Sequence, residues 1–99
     1  MNMQQILAQA QKMQRELQKA MNELKEKEFV INKNGMVVVT VTGNKEVKSI
    51  DIDNDAMDVD NKDMVQESIV LALNEAFAKI DAEAEAINER ITGRAGGLF

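Results

Sequence analysis

Cysteine, histidine, proline, tryptophan and tyrosine are all absent from this 99-residue chain. Without cysteine there is no disulfide framework, no thiolate nucleophile and no cysteine-type zinc site. Without histidine the commonest general base and the commonest transition-metal ligand are missing. Only two serines occur, Ser49 and Ser68, and with no histidine to activate them a Ser-His-Asp hydrolase is excluded. Three phenylalanines are the only aromatic residues, which argues against base stacking as a main binding mode. No apolar run approaches the roughly 20 residues that a membrane-spanning helix needs. The first ten residues do not read as a signal peptide, because they lack a basic start and are broken by Asn2, Gln4, Gln5 and Gln9. The expectation is a single cytoplasmic domain that is not an enzyme and holds no cofactor or metal.

What is present is charge, unevenly spread. The chain carries 12 Lys and Arg against 17 Asp and Glu, a formal net charge of −5. Residues 1–48 hold eight basic and five acidic groups, and residues 49–99 hold four basic and twelve acidic. The first half is therefore at +3 and the second at −8. Such a chain has one region suited to a polyanion and another that repels it.

Three segments follow from periodicity. From about Asn2 to Glu28, apolar residues fall at Met3, Ile6, Ala10, Met13, Leu17, Ala20 and Leu24. The alternating steps of three and four are a heptad stripe, and nothing inside it breaks a helix. Lys12, Arg15, Glu16, Lys19, Glu23 and Glu26 gather on the opposite side of the helical wheel. Next come three strands: Phe29–Lys33, Met36–Thr42 and Val47–Ile52. Asn34-Gly35 joins the first two, a dipeptide suited to a turn whose central residues need positive φ. Residues 43–46 make the second turn, so the strands form an antiparallel meander. In the middle strand Val37, Val39 and Val41 face one way and Met36 and Val38 the other, so both faces are expected to be partly covered. The third segment is a helix from near Asn61 to Gly93, capped by Asp60 or Asn61. Its apolar side is Ile69, Leu73, Ala76, Ile80, Ala84, Ile87 and Ile91. Residues 1–93 make one domain, and residues 94–99 a glycine-rich tail.

Lengths constrain how these pieces fit. Each helix reaches about 40 Å, and each strand about 17–23 Å. The sheet cannot cover both helices, so parts of them overhang with their apolar stripes. Either the helices pair with each other beyond the sheet or a second copy covers them. Three strands also leave two open edges. The expectation is a two-fold homodimer.

The run from Asp51 to Asp60 invites comparison with a calcium loop. Asp51, Asp53 and Asp55 fit its first, third and fifth positions. However, Ala56 stands where glycine is needed, and Lys62 where a bidentate glutamate is needed. A more informative patch lies on the first helix, where Lys12, Arg15 and Lys19 share one face at spacings of three and four. Gln4, Gln5, Gln9, Gln11, Gln14 and Gln18 surround it with neutral hydrogen-bonding groups of the kind that contact phosphate oxygens. A solvated face laced with Glu16, Glu23 and Glu26 is the other reading of the same residues.

The order of the segments carries more information than any one of them. A Met- and Gln-rich helix containing Ala10-Gln11-Lys12-Met13-Gln14 comes first. It is followed by Val39-Thr40-Val41-Thr42-Gly43, Glu46-Val47-Lys48-Ser49-Ile50, Ile69-Val70-Leu71-Ala72-Leu73-Asn74-Glu75-Ala76, and Thr92-Gly93 before a Gly-Leu-Phe ending. Over nearly its whole length the chain resembles the YbaB/EbfC family of bacterial nucleoid-associated proteins. The resemblance implies an α+β fold of order α-β-β-β-α and a tweezer-like homodimer. It also implies binding of double-stranded DNA through mainly non-specific phosphate contacts, with a role in nucleoid organisation or gene expression. Carried onto this sequence by charge and position, the DNA-binding candidates are Lys12, Arg15 and Lys19, then Lys25 and Lys27, then Arg90 and Arg94. The alternative from a different class is an acidic dimeric protein-interaction module with little or no DNA binding.

Overall fold

A computed structural model describes residues 2–93; Arg94 and the tail expected at 94–99 lie outside the described residues. The order is α1 (Met3–Glu26), β1 (Glu28–Lys33), β2 (Val37–Thr42), β3 (Val47–Ile52) and α2 (Lys62–Gly93). The strands form one antiparallel sheet in the order β1-β2-β3. The expected α-β-β-β-α architecture is therefore the observed one. No helix among the described residues is long and apolar enough to cross a membrane.

Asn2 starts α1: its side-chain oxygen accepts from the Gln5 backbone N–H at 2.8 Å, satisfying one of the free donors of the first turn. The helix ends two residues earlier than its apolar stripe suggested. Lys27 is extended, and β1 begins at Glu28. The stripe is also buried only toward its end. Leu24 is buried, Met13, Leu17 and Ala20 are half-buried, and Met3 is exposed.

Asn34 and Gly35 adopt φ of 57° and 65°, as the Asn-Gly signal requires. Pairing resumes at Val37 opposite Lys33, so Met36 belongs to the turn rather than to β2. Its N–H donates to the Lys33 carbonyl at 3.0 Å. Val37, Val39 and Val41 are buried and Val38 is half-buried, as the strict alternation predicts. Gly43 follows β2, and its N–H donates to the Lys27 carbonyl at 2.8 Å. A Cβ placed at Gly43 would lie 1.7 Å from the Leu24 carbonyl oxygen. The second hairpin thus lies directly against the end of α1, an approach that only glycine permits.

The connection from β3 to α2 contains two single-turn 3-10 helices, Asn54–Ala56 and Val59–Asn61, which periodicity did not reveal. Asp60 and Asn61, expected to cap α2, sit inside the second turn. The capping side chain is that of Asp58, which accepts from the Asp60 N–H at 2.9 Å.

α2 lies across β1 and β2 and pairs with α1. Its buried line is Ser68, Ala72, Ala76, Ile80, Ile87 and Ile91. Ile69 and Leu73, expected on that line, are only half-buried. The small residues explain the shift, because Ala72 and Ala76 let the helix axis come close to the valines of β2. The buried Ser68 hydroxyl accepts a 2.8 Å hydrogen bond from the Asn34 side-chain amide, which tethers the first hairpin to α2.

Replacing Gly43 with alanine is expected to destabilise the fold by about 3 kcal/mol, since backbone must move to make room. Gly35→Ala meets no atom within 4 Å, so it pays only for positive φ, about 1–2 kcal/mol. Urea unfolding of both variants checks the contrast. Equal midpoints would show that the second hairpin does not approach α1 so closely.

Candidate nucleic-acid interface

The two helices form an antiparallel arm. Lys27 Nζ lies 2.7 Å from Glu83 at the sheet end, while Glu16, Lys19 and Ala20 share a surface groove with Arg90 and Ile91 further out. Counting along the pair from Lys27 and Glu83 puts Gly93 opposite the turn around Leu17. The preceding part of α1, Met3–Glu16, runs about 20 Å past that point. The molecule is correspondingly long, at 69 × 20 × 14 Å.

Lys12, Arg15 and Lys19 lie along this arm, all exposed. On the helical wheel they stand opposite the stripe of Ile6, Ala10, Met13 and Leu17, so packing against α2 turns them outward. Arg15, Gln18, Lys19 and Asn22 border one shallow groove together with Glu23 and Glu26. The groove mixes cationic and neutral donors with two carboxylates.

The sheet's lysines are differently placed. Lys33 pairs with Glu75 at 3.2 Å and Lys45 with Asp81 at 2.7 Å, both tying the sheet to α2. Lys48 pairs with Glu28 across the sheet. Lys27 contacts both Glu83 oxygens, at 2.7 and 3.0 Å, and sits 5.2 Å above the Phe29 ring. Lys12, Arg15, Lys19 and Lys25 carry no such partner among the described residues. Lys25 belongs to the last turn of α1, where a cation also suits the helix dipole.

The candidates named from sequence therefore separate into groups. Lys12, Arg15 and Lys19 are brought onto one unpaired face. Arg90, from the other helix, joins them beside Lys19. Lys27 is held by Glu83. Arg94 lies outside the described residues. Sequence spacing places Lys12, Arg15 and Lys19 together, but the nearness of Arg90 to Lys19 depends on how α1 and α2 are aligned. Its only signal in sequence is a basic residue near the end of the last amphipathic segment.

Residues 1–95 match the family model described as the YbaB/EbfC DNA-binding family. A nucleoid-associated protein of Clostridium novyi is 42% identical over 94 residues, covering 94% of this chain and 82% of the relative. One from Mycoplasmopsis pulmonis is 41% identical over 91 residues, covering 92% and 90%. An uncharacterised Helicobacter pylori protein of known crystal structure superposes with a TM-score of 0.73 at 19% identity, over 93% of this chain and 98% of that one, a likeness of fold.

Because Lys12 and Lys19 are exposed and unpaired, Lys12→Glu with Lys19→Glu is expected to change stability by less than about 0.5 kcal/mol per site. Lys27→Ala removes an exposed ion pair and is expected to cost at most about 1 kcal/mol. Thermal unfolding checks both. A large loss in the double variant would mean that these lysines hold the arm together.

Proposed function

The chain belongs to the YbaB/EbfC DNA-binding family, and from that premise we propose that it is a nucleoid-associated protein that binds double-stranded DNA. Contact is mainly with phosphates and is largely independent of sequence. The role is nucleoid organisation or gene expression, in the cytoplasm, at the nucleoid. The observation that carries this reading is the unpaired face of Lys12, Arg15 and Lys19 on a projecting arm, while the sheet's lysines are tied to carboxylates. Point charges flanked by glutamine amides suit phosphate contacts, which position a protein without reading bases. Lys25 and Arg90 extend the same basic region, and Arg94 is a further candidate. Residue types that would serve a catalytic site are scarce, which favours a binding role.

The working unit proposed is a homodimer with paired arms, like tweezers. Apolar surface that α2 does not reach supports it. On the sheet Val30 is 59% exposed, Val47 45% and Ile50 43%, and Val70 and Leu71 are exposed along α2. Both outer strands also leave an unpaired edge. Apolar area of this kind is commonly buried against a partner.

Fluorescence anisotropy of a labelled duplex, titrated at several salt concentrations, tests the reading. A dimer offering Lys12, Arg15 and Lys19 twice neutralises up to six phosphates, for a log–log salt slope of about −5. The Lys12→Glu/Lys19→Glu variant is expected to lose binding. Affinity that is flat with salt, or unchanged in the variant, would refute phosphate contact through α1. Light scattering should return twice the 11.0 kDa chain mass, and a monomer at micromolar concentration would refute the dimer.

A further inference from the structure

We propose that the groove between the end of β3 and the start of α2 docks a basic, amphipathic helical segment of a protein partner. The groove has a volume of about 430 Å³. Its apolar lining is Ile52, Ala56, Met57, Val59, Val65 and Ile69. This is near the small end of ligand-pocket sizes, with room for a few large side chains rather than a folded body.

Two features set this surface apart. First, large apolar side chains stand open to solvent beside it: Met57 is 70% exposed, Val59 88% and Met64 55%. The buried Ala56 anchors the first 3-10 turn, and the residues that follow are left outside the core. Second, aspartates cluster around them. Asp51, Asp53, Asp55, Asp58, Asp60 and Asp63 are all exposed. Among the described residues none is in an ion pair, since the four pairs involve Glu28, Glu75, Asp81 and Glu83. Lys62 is the one cation lining the groove.

Charge complementarity selects the occupant. An apolar floor inside an unneutralised carboxylate rim fits a helix whose apolar anchors are flanked by lysine or arginine. DNA is repelled by the same rim. A second copy fits poorly. Its basic face of Lys12, Arg15 and Lys19 stands opposite its own apolar stripe, so it cannot offer anchors and cations together. Its second half would add a further −8. The groove is also remote from the arm. Ile69 and Arg90 are about 31 Å apart along α2, well beyond the Debye length of about 8 Å at physiological salt. A partner here is therefore compatible with DNA on the arm, and the inference stands or falls independently of the DNA reading.

The test is an amide NMR titration of the full chain with a synthetic peptide of lysine and leucine. The leucines are spaced at i, i+3, i+4 and i+7, and a glutamate–leucine peptide of the same spacing is the control. Shift changes confined to residues 52–69, weakened by salt and absent with the control, are expected. Met57→Ser with Val59→Ser should lower affinity by about tenfold while leaving the unfolding temperature unchanged, because both side chains are exposed. The proposal is overturned if shifts centre on residues 83–89, if both peptides bind alike, or if the variant binds as well as the parent. It is also overturned if the groove amides respond to dilution of the protein rather than to peptide, which would make a second copy the occupant.

Discussion

Ala72 and Ala76 seat α2 on the valine face of β2, and the rest of the molecule is arranged around that contact. Their side chains add little bulk, so the helix settles close to Val37, Val39 and Val41, which are almost wholly excluded from water. The sheet, however, has strands of only six residues, about 20 Å long, while α2 has 32 residues and runs about 48 Å. One end of the helix is consumed by the core. The other end has only α1 to pack against, and the two helices make the arm.

Ion pairs and polar contacts then hold the sheet's position beneath α2. Lys27, Lys33 and Lys45 reach from three different parts of the sheet to Glu83, Glu75 and Asp81. Each pair is at least partly exposed and contributes little on its own. Their consequence for function is in what they leave over. Cations near the sheet are matched by carboxylates, whereas Lys12, Arg15 and Lys19 on α1 are not. The aspartates between β3 and α2 are unmatched as well. The molecule is therefore electrically polar along its length, and each end suits a different class of partner.

Much of this was legible in the sequence. The heptad stripe from Met3 to Leu24 identifies α1, Asn34-Gly35 identifies the first turn, and the alternation through Val37, Val39 and Val41 identifies the buried face of β2. These signals are local, and each has a single physical cause acting over a few residues. The errors were of another kind. The stripe on α2 was drawn through Ile69 and Leu73 because large apolar residues attract the eye. The structure buries Ser68 and Ala72 instead, because fit against the sheet matters more than hydrophobicity. Two 3-10 turns went unseen because elements of three residues have no period to detect.

The candidate site divides in the same way. That Lys12, Arg15 and Lys19 share a face, opposite the apolar stripe, follows from helical geometry alone, as does the acidic balance of the second half. Which lysines are neutralised, that Arg90 stands beside Lys19, and that Met57 and Val59 flank a carboxylate-rimmed groove depend on residues far apart in the chain. Periodicity acts over one or two turns and is written in neighbouring residues. Pairing between Lys27 and Glu83, or between Gly43 and the backbone of Leu24, spans tens of positions and exists only once the helices and sheet have been brought together.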